Sequence, residues 1–422
     1  MARRLNRVLI HAGLAALAAC GAGSAAAACN AAGLDLPPHF CATVFARDAR
    51  QPRHIAVAAD GTVYANLNRG DKKHDLMALT DTDGNGVADR RRLFGDGGAT
   101  GLVIRNGWLY TASETTIQRY RLAPGAMPTG PGQTIVTGLP RRQAHTSRGL
   151  ALDTAGHLYV SIGAPSNACQ KADRERGSPG RKPCPQLGRH GGVWRFAANR
   201  PEQPFRRAAR FATGIRNMFA LTYDDARQQL IGAQMGRDQL DSLWPNQFSS
   251  QDNQRLPAEV LLDVQQGDDF GWPYCYYNGR RQANLLNPEY GGDGHKSGPC
   301  DRFTLPIAAY PAHWAPMAVV FYRHPAFPKR YQGGAFIAFH GSWNRSPAPQ
   351  GGFRVVYQRF VDGKPSSDYQ TFAGPRGFTG ENVVRSPGSA AHRPAGLAIG
   401  PKGALYVSDD QGSTIYRITY GD

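Results

Sequence analysis

Short runs that alternate apolar and polar positions recur along this 422-residue chain. Each run ends in a turn closed by glycine, and a second run carrying a tyrosine follows. The first copy is His54–Tyr64, the second Gly101–Tyr110, the third Gly149–Tyr159 and the last Gly396–Tyr406. Each reads as two period-two strands joined by a hairpin. The tyrosines at 64, 110 and 159 stand 46 and 49 residues apart, a propeller-blade period. Two degenerate copies fill the middle: Phe219–Asp225 with Gln229–Gly232, and Met317–Phe321 with Gly334–Ala338. Six copies predict an all-β chain folded as a six-bladed β-propeller. Residues 164–190, 245–257 and 276–312 read as loop insertions between strands. Helical periodicity is scarce, which argues against alternating strands and helices. A pair of β-sandwiches fits less well, because the phrase repeats too evenly.

The N-terminus departs from this pattern. Arg3, Arg4 and Arg7 precede an apolar run, Val8–Ala19, and small residues through Ala28. This is the layout of an export signal, and the run is too short to remain as a membrane span. Cleavage after Ala28 gives a signal peptide of 1–28 and one domain over 29–422. The alternative is a lipobox, Leu17-Ala18-Ala19-Cys20, which would leave a lipid anchor on Cys20. The chain is therefore expected in the periplasm or secreted. Of seven cysteines, the six beyond Cys20 fall as near neighbours: Cys29 and Cys41, Cys169 and Cys184, Cys275 and Cys300. An even number in an exported chain favours disulfides, with fifteen pairings open. Without C-x-x-C, zinc ribbons and c-type haem attachment are disfavoured.

Net charge is +17, and +14 without Arg3, Arg4 and Arg7. The basic side chains read as scattered rather than massed with aromatics, so nucleic acid is not the expected partner. Anionic cofactors, an acidic redox partner or a membrane face fit better.

A propeller binds ligands on loops at the mouth of its central channel. His145 directly precedes the third phrase, where a neutral imidazole can act as general base. Arg216 and Asn217 hold the matching place before the fourth, and the Arg216 fork suits carboxylate or quinone oxygens. Gly236-Arg237-Asp238 follows the fourth blade's second strand, His340–Arg345 follows a strand of the fifth, and Arg393 opens the last. Cations converging from separate blades indicate a polyanionic small molecule. Separately, Asp81, Asp83, Asn85 and Asp89 stand at positions 1, 3, 5 and 9 of a calcium-type loop with Gly86 at position 6. Arg92 at position 12 replaces the usual glutamate, and the site is expected to be structural. No Gly-x-Ser-x-Gly elbow, phosphate loop or dinucleotide fingerprint is present.

The phrases around His145, Arg216-Asn217, Phe270-Gly-Trp-Pro-Tyr274, Ala315-Pro316, His340-Gly-Ser-Trp-Asn-Arg345 and Arg393-Pro-Ala-Gly-Leu-Ala398, in that order, resemble the sorbosone dehydrogenase family. These are relatives of soluble glucose and aldose dehydrogenases that use pyrroloquinoline quinone (PQQ). The resemblance runs from about Leu36 to the C-terminus. It implies a six-bladed propeller with PQQ and Ca²⁺ at the channel mouth. It further implies His145 as the base for the substrate hydroxyl, and Arg216 and Asn217 on the quinone oxygens. By the same resemblance Gly236 and Arg237 supply carbonyls to the calcium, and Arg393 binds a carboxylate. The glucose enzymes carry a lysine where this chain has His340–Arg345, and there Asn344 and Arg345 are expected to reach the cofactor. The reading is an oxidoreductase acting on an aldose or sugar aldehyde, with a quinone or small cytochrome as electron acceptor. A calcium-dependent lactonase and a non-catalytic sugar- or protein-binding propeller are the alternatives. The lactonase would need Glu, Asp and Asn at the channel mouth, where basic residues stand instead.

Overall fold

The computed structural model describes residues 32–421 apart from 72–73, 99, 126, 129, 142–143 and 381–382. The expected signal segment, both cleavage sites, Cys20 and Cys29 lie outside the described residues. Six four-stranded antiparallel blades form the expected propeller. Blade 1 runs Pro52–Val57, Val63–Leu67, Leu76–Thr80 and Arg90–Phe94 from the channel outward. Blade 2 is Leu102–Arg105, Trp108–Ala112, Ile117–Arg121 and Gln133–Thr137, with Gln203–Pro204 added at its edge. Blade 3 is Leu150–Leu152, His157–Ile162, Gly192–Ala197 and Arg210–Thr213; blade 4 is Ala220–Asp224, Gln229–Gln234, Glu259–Asp263 and Ala308–Tyr310. Blade 5 is Pro316–Phe321, Ala335–Phe339, Arg354–Val361 and Lys364–Ala373. Blade 6 takes Pro394–Ile399, Leu405–Asp409 and Thr414–Tyr420 from the C-terminus and its outer strand, Phe40–Ala46, from the start of the described chain.

Blades stack face to face, so both faces of a strand are buried: Val63–Leu67 and Ala335–Phe339 are buried at every position. The core is accordingly divided. Six apolar clusters of described residues fill the six gaps between neighbouring blades, such as Tyr110, Leu150 and Trp194 between blades 2 and 3. The six inner strands surround a central cavity of about 330 Å³.

The glycine that opens three of the phrases has a structural cause. A Cβ at Gly101, Gly149 or Gly396 would lie 2.8, 2.5 or 2.1 Å from the carbonyl oxygen of Arg148, Phe219 or Arg53, each on the next blade. A serine completes the joint. The Gly149 amide donates to Ser161 Oγ, whose hydroxyl donates to the Met218 carbonyl of blade 4. The Gly396 amide and Ser408 repeat this toward Arg53 of blade 1.

The insertions are longer than expected. Residues 163–191 separate the second and third strands of blade 3 and are closed by Cys169–Cys184. Residues 235–258, with short helices Leu240–Leu243 and Ser250–Arg255, do the same in blade 4. The third runs over 264–307 rather than 276–312: it contains a paired hairpin, Cys275–Asn278 with Ala283–Leu286, and a Cys275–Cys300 disulfide. The expected range also absorbed Ala308–Tyr310, the outer strand of blade 4, which at three residues is too short to show a period. Cys41 is disulfide-bonded.

Candidate functional site

Inner strands begin, and second strands end, on one face of the ring. His145 lies on that face, half-buried in left-handed backbone (φ 52°). Its Nδ1 donates to the Ala164 carbonyl at 2.7 Å, so the neutral ring carries its proton on Nδ1 and its lone pair on Nε2. The Ala164 amide in turn donates to the Arg216 carbonyl at 2.7 Å. One residue just past the end of a blade 3 strand thus ties the lead-in of blade 3 to that of blade 4. Gly163 permits this approach, since a Cβ there would stand 3.0 Å from His145 Cβ and 3.4 Å from the Arg216 carbonyl. Burial, reinforced by the Arg216 charge, pushes the His145 imidazole down to about 3.

Arg216 is buried, and four hydrogen bonds hold its guanidinium. Nε donates to the Asn167 carbonyl, Nη1 to the Gly236 carbonyl at 2.7 Å, and Nη2 to Asn167 Oδ1 and Asp238 Oδ2 at 3.1 and 2.8 Å. Arg174 donates to the same Asp238 oxygen at 2.8 Å. Burial would raise the Asp238 carboxyl, but the Arg216 and Arg174 charges hold it below the usual carboxylate range. Gly236, expected to turn its carbonyl to a cation, therefore already accepts from Arg216. Arg237 is buried and donates to the Glu289 carboxylate and Asn287, which anchors its side chain in the blade 4 insertion. Asn217 is buried, and its Oδ1 has no hydrogen-bond partner among the described residues.

A second cluster completes the mouth. The buried His340 Nε2 donates to Asp410 at 2.8 Å, and Arg53 Nε donates to the other Asp410 oxygen at 2.9 Å. Arg393 donates to the His340 and Gly341 carbonyls, and burial pushes its guanidinium down to about 10. Asn344 is buried at the far end of the same loop, where Oδ1 accepts from the Gln239 amide at 3.3 Å. The His340–Asn344 segment therefore links the Arg393 cluster to the Asp238 cluster.

Two expectations separate from this centre. Arg345 turns instead to the blade 4 insertion and the lead-in of blade 5, donating to the Gln254 and Ala312 carbonyls and to the Pro349 carbonyl of its own loop. Asp81, Asp83, Asn85 and Asp89 share one turn between strands of blade 1, but their oxygens accept from that turn's own donors at Gly84, Gly86, Asn85, Val87 and Thr82. Among the described residues no three His, Cys, Asp or Glu side chains converge as a cation cage.

Sequence reasoning missed Asn167, Arg174 and the Arg53–Asp410 pair, and gave Asp238 no role. It also missed Glu259, whose carboxylate accepts from the Gly236 and Ala315 amides beneath the site. Burial pushes the Glu259 carboxyl up to about 7. An acid inside the apolar stretch Ala258–Leu262 was the available signal for it.

Four guanidinium groups around the mouth, from Arg53, Arg174, Arg216 and Arg393, face two carboxylates, Asp238 and Asp410. The remaining positive charge suits an anionic ligand. The orphaned Asn217 amide oxygen suits a bound cation or a hydrogen-bond donor. A PQQ–calcium pair supplies both an anion and a cation, so these residues fit it.

The TrAA12-like family profile matches residues 34–421. A protein of Borreliella burgdorferi is 29% identical over 211 residues, half of this chain, and the chain spans about half that relative's length (48%). Three solved structures share the fold. A calcium structure of a Trichoderma reesei carbohydrate-active enzyme of family AA12 is 18% identical, with TM-score 0.72, covering 92% of this chain and 97% of that one. The holo PQQ domain of pyranose dehydrogenase from Coprinopsis cinerea is 16% identical, with TM-score 0.70 and the same coverage. The apo aldose sugar dehydrogenase of Escherichia coli is 16% identical, with TM-score 0.60, covering 90% and 99%.

Proposed function

Because the chain belongs to the TrAA12-like family, we propose that it is an exported sugar oxidoreductase that uses PQQ and Ca²⁺ to oxidise an aldose or sugar aldehyde. The observation that carries this reading is the Ala164 bridge, which fixes a neutral histidine beside a buried arginine at the channel mouth. The names of the structural neighbours, a PQQ domain and a calcium structure among them, support the cofactor pair. Asn217 and the Arg237 carbonyl would hold the cation, Arg393 a carboxylate, and Arg216 the quinone oxygen. When bound, the quinone accepts hydride from the substrate carbon.

His145 receives the substrate hydroxyl proton on Nε2. Its Nδ1 proton, donated to Ala164, keeps the ring from presenting the wrong nitrogen. The Arg216 charge that depresses His145 also stabilises negative charge arriving beside it, and that charge restores proton affinity to the ring as the hydroxyl loses its proton. Asp238 and Asn167 hold Arg216 in place for this work.

The test is reconstitution. Purified apo-protein with PQQ and Ca²⁺ should reduce a redox dye when given members of an aldose and sugar-aldehyde panel. Tight PQQ binding should also appear as a spectral change before substrate is added. Absence of both would overturn the cofactor assignment.

A further inference from the structure

The basic residues that read as scattered are unevenly distributed. Residues 164–210 carry eleven Lys and Arg against three Asp and Glu, a net +8 of the chain's +17. That span is about a ninth of the chain and almost all of it belongs to blade 3. Lys171, Arg176, Arg181, Lys182 and Arg189 are exposed on the 163–191 insertion. The flank extends outward, because Arg210 donates to the Leu187 carbonyl and Arg189 lies 5.2 Å from the Phe205 ring centroid. The insertion is closed by the Cys169–Cys184 disulfide and held by the Arg181 guanidinium, which donates to the Gln170 and Lys171 carbonyls. It begins at Ala164 and Asn167, the residues that hold His145 and Arg216. A stapled basic lobe therefore opens directly off the candidate site.

We infer that this lobe is the docking surface for an acidic one-electron acceptor protein, an inference that rests on the oxidoreductase reading. Charges of one sign beside a redox site steer a complementary partner and raise its association rate by about 10- to 1,000-fold at low salt. One substrate alcohol oxidised to a carbonyl releases two electrons and two protons. Two acceptor molecules must then dock in turn, each taking one electron, while the protons leave to water. Rapid, salt-sensitive and reversible docking suits that requirement better than a large apolar interface.

The probes are an acidic blue-copper protein and, as opposite-charge control, a basic c-type cytochrome. In the reconstituted enzyme the acidic acceptor should be reduced fast at low salt and slowly at 0.5 M salt, and the basic one slowly throughout. Lys171, Arg176 and Lys182 make no side-chain hydrogen bond or ion pair within the described residues. The triple variant K171E/R176E/K182E should lose about tenfold or more in rate with the acidic acceptor at low salt. Its rate with a small neutral dye should stay within about twofold. R359E/K364E/K402E, which changes exposed charges on blades 5 and 6, should leave both rates unchanged. Equal loss in both triple variants, or none in the first, overturns the proposal. So does capture of the apo-protein by anionic lipid vesicles without calorimetric binding of the acidic protein. If no sugar reduces any dye, the oxidoreductase reading fails, while calorimetry on the apo-protein still reads the docking.

Discussion

His145 and Arg216 show how single residues are set by neighbours far from them in sequence. Replacing His145 by Ala should lower kcat/KM by about 10²- to 10⁴-fold, measured in the reconstituted dye assay. The wild-type profile carries a sharper expectation. A base must be deprotonated to act, so activity falls as pH drops through its pKa. With the ring held near 3, kcat/KM should be flat from pH 5 to 8, and an acidic limb centred near 6.5 would contradict the burial described. The positions of His145, Arg216 and Arg393 were legible because each precedes a repeated phrase. Asn167 and Asp238 were not, because they lie in or beside insertions whose contacts are made only in three dimensions. Arg345 illustrates a different limit. Its neighbour Asn344 is buried against the Gln239 amide, and one residue later the side chain turns to the Gln254 and Ala312 carbonyls instead.

Among the elements, the glycine–serine joint and the Glu259 strand carry the site. Ser161→Ala removes the hydroxyl that reaches from blade 3 to the Met218 carbonyl of blade 4 and the acceptor of the Gly149 amide, leaving both without that partner. It should cost about 1–3 kcal/mol in urea unfolding. Glu259 gives a pH signature of definite sign. Its folded pKa is raised from 4.5 to about 7, so its stabilisation is complete below 4.5 and is lost as pH rises through 7. Relative to Glu259→Gln, wild-type stability should therefore decline between pH 5 and 8, and a difference independent of pH would contradict this. The strand pattern was readable because the period of two is local. The hairpin at Cys275–Leu286 escaped notice because it belongs to no blade and its sequence breaks the repeat.

On the scale of the whole molecule, six separate cores replace one, and the ring holds only if it is closed. Closure falls to Phe40–Ala46, which pairs with Thr414–Tyr420. Phe40 sits edge-on to Phe327, Tyr331 and Phe372 of the neighbouring blade. Phe40→Ala should lower unfolding free energy by about 3–5 kcal/mol, read from the urea midpoint. The six phrases alone give the number of blades; they do not say that the sixth is shared between the two ends of the chain. That sharing orders events during synthesis. The outer strand is made long before its partner, with the whole of residues 47–413 between them. Until then the chain is an open arc with two raw edges, and both stay open to any other strand that meets them first.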